Sequence, residues 1–491
     1  MRHRFVLVVL FALVAPLSSL SAQTTDTERA AAADVLRRIN DLQARLDPMG
    51  MATKLAHRKD AKRDAVMARA EAMWNGEMQS LSDHIGHNPE VGWQEHASVD
   101  TLTRVLRSKG FTIEMGVAGL ETAFVASWDS PSGTDGPALG LIGEYDALRG
   151  TQGNFHGDQH NAQTPVAISA AVALAEHMAA NGVKGRIKLY GTPAEEVGPP
   201  AKTIMHEAHV FDGADILIRS HSSTGTARAR AGFGTCCLNI NEVKYVFTGY
   251  PSHQLASWNG RNALQGAVSF FTTVERLRTT FRPETRIQGV IPEGGGAPNV
   301  VPDRAVVDYY IRYPDEVYLE HVQQMIDDAA RGAAMGMGVK VSIEPYGEYR
   351  DGITVGTLEE AMFAYAKKMG APALMEEHGA PAGYEETGSV ARDIPGVGVS
   401  VMSSTGAYHT YQMRDDAFTD IGHTGFRMDA QIMAAVLYDF LTDAEFRAAV
   451  QEEQETLKGL LAEYHRELRK VYVGEMRGPP MGGVDAGPSV L

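Results

Sequence analysis

Short apolar runs alternate with helical stretches along most of this chain, and no other feature limits the possible fold as strongly. Three such runs are Ala138-Ile142, Arg186-Tyr190 and Ala214-Ile218, and Pro165-Ala180 between the first two has the composition of a helix. Alternation of strands and helices is typical of a sheet with helices packed on both of its faces. We therefore predict an α/β fold.

A second unit with a different order of elements interrupts this alternation. It is predicted to contain a strand, a helix, two strands, a helix and a final strand, namely Leu238-Thr248, Arg261-Leu277, Thr285-Ile291, Ala305-Tyr313, Asp315-Ala334 and Val339-Pro345. The order β-α-β-β-α-β is the signature of ferredoxin-like α+β domains. The α/β pattern then resumes, with Leu358-Lys368 and His423-Leu441 as helices and Gly398-Met402 as a strand. We predict a discontinuous domain, residues 78-237 and 352-472, into which a domain of residues 238-351 is inserted.

The two ends of the chain differ from its body. Arg2 and Arg4 precede the apolar run Phe5-Leu17, and small residues follow up to Ala22, which predicts a secretory signal peptide over residues 1-22. The apolar run is too short for a typical membrane span, although an uncleaved anchor is the alternative. Residues 23-77 have the composition of a helical extension, and residues 473-491 that of a flexible tail. We expect a secreted or periplasmic protein.

Charge and cysteine content disfavour some partners and sites. The formal net charge of −16 over 491 residues disfavours nucleic acid and anionic membranes as partners, and a small molecule is expected instead. The only two cysteines, Cys236 and Cys237, are adjacent, and neighbouring cysteines rarely pair because the bridge between them is strained. We therefore predict two buried, unbridged cysteines on a strand and no cysteine-based metal site.

Histidines and acids follow the predicted strands, where α/β enzymes often keep catalytic groups. The segment Gly143-Leu148 and then His156-His160, an H-x-D-x-H motif, follow the first strand. Glu195-Glu196 follows the second, His221 the third, and His409 stands alone later in the chain. A carboxylate can bridge two metal ions, and a neutral imidazole suits zinc, manganese or cobalt. Taken singly, each motif has a structural alternative: a polar loop, a solvated acidic turn or a packed histidine.

The order of these motifs resembles the M20 metallopeptidase and amidohydrolase family over roughly residues 87-441. The resemblance is greatest to the branch of aminobenzoyl-glutamate hydrolases and acyl-amino-acid hydrolases. Further segments that match the family are His87-Glu95, Phe247-His253, Gly260-Ala263, Asn299-Asp303, Ile311-Arg312 and Gly422-Gly425. The resemblance implies a zinc-peptidase-like catalytic α/β domain with an inserted ferredoxin-like dimerisation domain.

The resemblance also implies a role for each motif residue. It implies that Glu195 is the general base and that two divalent metal ions, zinc or manganese or cobalt, are held by Asp158, His160, Glu196, His221 and His409. His253 would reach the active site of a neighbouring subunit, and Asn299 and Arg312 would hold a substrate carboxylate. The structural alternatives are a solvated loop histidine for His253 and a surface ion pair for Arg312. A homodimer or a larger homo-oligomer is therefore expected.

Three places depart from the pattern of this branch. Asp158 stands where the branch has a bridging cysteine, and Gln159 stands where it has a glycine. The segment Glu385-Ser389 also differs from the branch, and Glu386 occupies the first acidic position of the branch's usual run. A carboxylate in place of a thiolate changes the preference for metals. We predict a hydrolase that cleaves an amide next to a carboxylate in an N-acyl amino acid or an aminobenzoyl-glutamate-like molecule. The alternatives are a carboxypeptidase or dipeptidase of the same family and a secreted binding protein without activity.

Overall fold

The computed structural model describes residues 25–235, 237–375 and 387–472. The predicted signal peptide, the predicted tail, Cys236 and Glu386 therefore lie outside the described residues.

Helices make up nearly half of the described chain. In chain order they are α1 Asp26–Leu46, α2 Pro48–His57, α3 Ala61–Met73, α4 Gln79–His87, α5 His96–Ser108, α6 His160–Asn181, α7 Ala201–Glu207, α8 Ala263–Leu277, α9 Glu316–Met337, α10 Gly356–Met369, α11 Gly388–Ala391, α12 Tyr411–Asp416, α13 Asp420–Thr442 and α14 Ala444–Lys470. Within the described ranges, no helix has both the length and the apolar composition that crossing a membrane requires.

The strands form one large sheet, one smaller sheet and a short pair. They are β1 Thr112–Met115, β2 Phe124–Asp129, β3 Ala138–Gly143, β4 Arg186–Gly191, β5 Ile216–Ser220, β6 Thr226–Ala227, β7 Asn239–Thr248, β8 Arg286–Glu293, β9 Arg304–Tyr313, β10 Lys340–Tyr349, β11 Leu374–Met375 and β12 Gly396–Val399. The large sheet has the order β1-β2-β4-β3-β5-β12, in which β4, β3, β5 and β12 run parallel and β1 and β2 are antiparallel to their neighbours.

The large sheet lies inside the main hydrophobic core. Every residue of β3 is buried, as expected for a central parallel strand with helices on both faces. Leu139 and Leu141 of β3 share one core with Phe426 of α13 and with most of α6. The predicted α/β fold is therefore confirmed. The strand predicted at Gly398-Met402 is displaced, because β12 ends at Val399 and the chain then turns away from the sheet.

The inserted unit has the predicted ferredoxin-like arrangement. Its antiparallel sheet has the order β10-β7-β9-β8, and α8 and α9 pack against it through a separate core that includes Tyr245, Phe270 and Tyr309. The strand predicted at Thr285-Ile291 ends two residues later than predicted, because β8 continues through Glu293 beyond a bulge.

The N-terminal helices and the last helix attach this insert to the rest of the chain. α1 packs along α14. Leu468, near the C-terminal end of α14, and Tyr472, just after this helix, belong to the core of the insert. Glu28 of α1 is buried there. Its Oε1 accepts hydrogen bonds from Arg282 Nη2 at 2.7 Å and from the Tyr472 hydroxyl. The extension therefore contacts both domains.

One prediction about the cysteines is wrong. Cys237 is disulfide-bonded, and the only other cysteine in the chain is Cys236. Cys237 is buried, as predicted, but it precedes β7 instead of lying on it, and its backbone N–H donates to Asp351 Oδ1 at 3.0 Å. The prediction rested on the strain of a bridge between neighbouring cysteines, and such strain raises the energy of a disulfide without forbidding it.

Candidate metal centre

The carboxyl ends of three neighbouring parallel strands bring most of the predicted site residues to one edge of the large sheet. β4, β3 and β5 are adjacent in this sheet. Glu144 follows β3, Glu195 and Glu196 follow β4, and His221 follows β5. Open α/β sheets bind their ligands at this edge.

The first cluster of candidate metal ligands consists of Glu144, His160 and His221, whose ligand atoms lie within 4.8 Å of one another. His160 is the first residue of α6, and its Nδ1 lies 2.9 Å from Asp146 Oδ1. Its Nε2 lies 3.3 Å from Glu144 Oε2 and has no hydrogen-bond partner among the described residues. A carboxylate behind a histidine orients the ring and leaves the other nitrogen for a metal. His160 has this arrangement.

The second cluster consists of Asp158, Glu196 and His409, also within 4.8 Å. His409 Nε2 lies 3.1 Å from Asp158 Oδ2 and 3.4 Å from Glu196 Oε2. The His409 side chain is 59% exposed, so this cluster lies at the mouth of the site. A third group, formed by His160, Glu195 and Glu196, lies between the two clusters. All five predicted ligands and the predicted base are therefore brought together.

The site concentrates buried negative charge. Five carboxyl groups meet here, and the buried ammonium group of Lys202 contacts one of them, with Nζ 2.6 Å from Glu144 Oε1. Burial raises the pKa of both Glu195 and Glu196. Burial lowers the pKa of His160, but the carboxylates of Glu144 and Asp146 outweigh it and raise that pKa well above its usual value.

The donor set fits a pair of divalent cations. Buried carboxylates are costly unless cations compensate them, and bound metal ions are often the largest local charges of such a site. Within the described chain, Glu196 Oε1 and His160 Nε2 are buried without hydrogen-bond partners, so each has a lone pair available. Carboxylate oxygens and imidazole nitrogens are ligands suited to zinc or manganese.

A buried glutamate supports the turn that presents Glu195. Ala194, just before Glu195, has φ +52°, and its N–H donates to Glu95 Oε1 at 2.8 Å. The other oxygen of Glu95 accepts from Thr122 Oγ1 at 2.9 Å. Glu95 thus holds a backbone conformation that costs a non-glycine residue roughly 1–2 kcal/mol. Gln159 and His409 also have positive φ values, of +55° and +61°. Such conformations cluster at functional sites.

Several contributors were not identified from the sequence. Glu144 and Asp146 were noted as part of a motif without a role, and Glu95 and Lys202 were not assigned one. Glu144 and Asp146 could have been found from the sequence, because acids that directly follow an apolar strand lie at the ligand-binding edge of the sheet. Lys202 could not, since it lies on α7, and only the fold brings it to Glu144.

The remaining predicted residues lie in the insert and outside the three candidate groups. His253 and Asn299 are neighbours, because the Gln254 N–H donates to the Asn299 carbonyl at 3.0 Å and His253 forms a β-bridge with Val300. His253 Nδ1 accepts from the Leu255 N–H at 3.1 Å. Arg312 lies on β9, opposite Ile240 of β7.

The chain is similar to known proteins in part of its sequence and in its fold. Residues 238–336 match the peptidase dimerisation domain of the M20 family. The chain is 29% identical to the Xaa-Arg dipeptidase of Mus musculus, over 76% of this chain and 90% of that protein. It is 31% identical to one of the subunits of the p-aminobenzoyl-glutamate hydrolase of Escherichia coli, over 60% of this chain and 62% of that protein.

A solved structure supports the fold alone. A dinuclear metal-binding peptidase of the M20 family from Bacillus subtilis superimposes with a TM-score of 0.55 at 18% identity, covering 75% of this chain and 98% of that protein.

Proposed function

We propose that this chain uses two metal ions to hydrolyse an amide bond next to a carboxylate. The match of residues 238–336 to the M20 dimerisation domain supports the proposal, as does the similarity to the Xaa-Arg dipeptidase and to the p-aminobenzoyl-glutamate hydrolase subunit. The observation that carries the proposal is the position of Glu195. It shares a ligand group with His160 and Glu196, and these two residues belong to the first and second clusters respectively. A base in this position can reach a water molecule held between two metal ions.

The chain's own residues then move one proton. When bound, the two cations would lower the pKa of a water molecule and polarise the amide carbonyl. Glu195 takes a proton from that water, whose oxygen bonds to the carbonyl carbon. Glu195 then returns the proton to the amide nitrogen as the C–N bond breaks. Burial raises the pKa of Glu195, which suits a group that must hold a proton and release it.

We propose small N-acyl amino acids or aminobenzoyl-glutamate-like amides as substrates, with Asn299 and Arg312 holding the carboxylate. A guanidinium can bind a carboxylate with two parallel hydrogen bonds. The p-aminobenzoyl-glutamate hydrolase subunit among the relatives supports this choice. A dipeptidase is the second candidate, supported by the Xaa-Arg dipeptidase, which is covered over 90% of its length.

Assembly and location belong to the same proposal. We propose a homodimer formed through the insert, in which His253 of one subunit acts at the site of the other. Leu255 and Trp258, in the same segment, are each 75% exposed, which supports a contact surface there. Secretion or export to the periplasm is proposed from the basic and apolar N-terminus.

Two variants test the proposal together with a matched control. Glu195→Gln should keep both metals and lose about 10²–10⁴-fold in kcat, because it removes the base but not a ligand of either cluster. Asp158→Ala should lose metal as well as turnover. Glu207→Gln, an exposed glutamate at the end of α7, should resemble the wild type.

The measurements are metal content by mass spectrometry and hydrolysis of N-acyl amino acids, aminobenzoyl-glutamate and dipeptides, with zinc, manganese or cobalt added. The preferred amide distinguishes the two candidate substrates. A protein that binds metal, hydrolyses none of these amides and keeps the same metal content in Glu195→Gln would be a binding protein. This result would refute the proposal.

A further inference from the structure

We propose that Gln159 is a positioning residue that holds the loop carrying His409 against the loop carrying Asp158 and His160. The proposal rests on the proposed two-metal function, because the main effect of losing Gln159 is expected in metal binding. Gln159 has no acid–base chemistry of its own and belongs to none of the three candidate ligand groups. Its role would be carried entirely by its side-chain amide.

The Gln159 amide contacts both ends of the segment that carries His409. The side chain is fully buried. Its Nε2 donates to the Met413 carbonyl at 2.6 Å and to the Ser403 carbonyl at 3.4 Å, and its Oε1 accepts from Ser403 Oγ at 2.7 Å. Residues 404–412 comprise the loop with His409 and the start of α12, and the two ends of this segment are therefore joined by one side chain.

A serine extends the connection to the third strand end. Ser403 N–H donates to the Ser223 carbonyl at 2.8 Å, and Ser223 N–H donates to Ser403 Oγ at 3.1 Å. Ser223 lies two residues after His221. Gln159 and Ser403 together thus link the segments that supply Asp158, His221 and His409, although these segments are far apart in the sequence.

Near its tip the loop also contacts the segments that carry His221 and Asp158, and the Tyr408 hydroxyl donates to the Ser222 carbonyl at 3.2 Å. His409 N–H donates to the Gly157 carbonyl at 3.1 Å and lies 3.2 Å from Asp158 Oδ1. The His409 side chain is mostly exposed, so little packing holds it. Residues that orient metal ligands from behind typically change metal affinity about 10–100-fold when they are lost. Loss of the Gln159 amide should therefore act on the cluster that contains His409 and spare the one that contains Glu144.

The left-handed backbone conformation of Gln159 allows an effect of the lost amide to be distinguished from an effect of backbone strain. Its φ of +55° lies in the left-handed region, which glycine adopts without strain. Gln159→Gly therefore removes the amide and relieves the backbone, whereas Gln159→Ala removes the amide and keeps the strain. If the amide is what matters, both variants should have the same defect.

The experiment titrates zinc into chelator-treated protein in competition with a chromophoric chelator, for the wild type, His409→Ala, Gln159→Ala and Gln159→Gly. We expect two binding steps in the wild type. The step abolished by His409→Ala should weaken about 10–100-fold in both Gln159 variants, and the other step should change less than about threefold. Hydrogen exchange of residues 403–413 in metal-free protein should become faster in both variants.

Gln454→Ala is the matched control. Gln454 is also buried and donates to two backbone carbonyls, of Ala391 at 3.0 Å and Arg392 at 3.2 Å. Its loss should leave both zinc-binding steps and the exchange of residues 403–413 unchanged. Ser403→Ala provides a second route if Gln159→Ala fails to fold, since it removes the hydroxyl that donates to Gln159 Oε1.

Two results would overturn the inference. One is zinc binding and hydrogen exchange in Gln159→Gly that match the wild type. The other is a defect in zinc binding or exchange that Gln159→Ala shows and Gln159→Gly does not, because backbone strain and not the missing amide would then be its cause. A wild type that binds no zinc would instead refute the proposed function. Hydrogen exchange would still decide whether Gln159 holds the loop.

Discussion

The buried carboxylate of Glu453 should contribute strongly to the stability of the helical layer. It lies on α14 and accepts four hydrogen bonds. Oε1 accepts from the Gly356 N–H at 2.7 Å and from Gln43 Nε2 at 2.6 Å, and Oε2 accepts from the N–H and the hydroxyl of Thr357 at 2.9 and 2.6 Å. The residue before α10, Val355, has no side chain able to cap the helix. Glu453 therefore acts as the N-terminal cap of α10 from another helix.

The change Glu453→Gln keeps the shape and removes half of these acceptors. With its NH₂ group turned toward Thr357, the amide can donate to the Thr357 hydroxyl, which also accepts, but it cannot accept from the Thr357 N–H, so one buried donor is left unpaired. A donor left without its partner costs about 1–3 kcal/mol. The free energy of unfolding should fall by roughly 2–4 kcal/mol, from this donor and from the loss of charge in the remaining bonds.

The neighbouring residue provides the control for this measurement. Glu452 pairs with Arg45 at the surface, and both side chains are about half exposed. Glu452→Gln should cost less than about 1 kcal/mol, because exposed ion pairs contribute little. Urea unfolding of both variants and the wild type gives the comparison. A loss below about 1 kcal/mol for Glu453→Gln, or equal losses for the two variants, would refute the assignment of Glu453 as a cap.

Two further predictions concern charge at other buried positions. Burial raises the pKa of Glu359 to about 7 from an ordinary value of 4.5, so its contribution to stability is complete below about pH 4.5 and is lost as the pH rises through 7. Glu359→Gln keeps an acceptor for the Ala229 N–H. Its free energy of unfolding should equal that of the wild type at pH 4 and exceed it by up to about 3 kcal/mol at pH 8. Equal free energies at pH 8, measured by urea unfolding, would contradict this prediction. Glu28→Gln weakens the contact with Arg282 and Tyr472. We therefore expect the free energy of unfolding to fall by about 1–3 kcal/mol and hydrogen exchange at residues 278–285 to become faster. Exchange at the wild-type rate would show that α1 does not hold the insert.

The general architecture was predictable because periodicity is a local property of the sequence. The order of strands and helices in the insert follows from runs such as Ala305-Tyr313, which alternate between core and open face. The sequence prediction includes neither β1 nor β2, although the first three residues of β2 are apolar and buried. β1 has only four residues and none of them is buried, so it lacks a hydrophobic pattern, and it is a strand because β2 supplies its hydrogen-bond partner.

The candidate site was predictable in its residue types and less so in its pairings. Acids and histidines after apolar strands could be selected because parallel strands end at one edge of the sheet. The contacts that orient them were not predictable, since Asp146 and His160, or Glu95 and Ala194, meet only after the chain has folded. Cys237 illustrates the opposite error, because the strain of a bridge between neighbouring cysteines predicts no disulfide, and Cys237 is nevertheless disulfide-bonded.

Asp158 and Gln159, which stand where the resemblance implies a cysteine and a glycine, are adjacent, and they have a common structural consequence. A cysteine thiolate has one sulfur to offer, whereas the carboxylate of Asp158 has two oxygens. Its Oδ1 lies 3.2 Å from the backbone nitrogen of His409, while Oδ2 lies 3.1 Å from His409 Nε2. A glycine has no side chain, whereas Gln159 reaches both ends of the same loop. Each departure therefore adds a contact between the H-x-D-x-H segment and the His409 loop that the cysteine–glycine pair cannot provide. A metal ligand on an exposed loop needs such contacts, because ordering that loop would otherwise cost conformational entropy each time a metal binds.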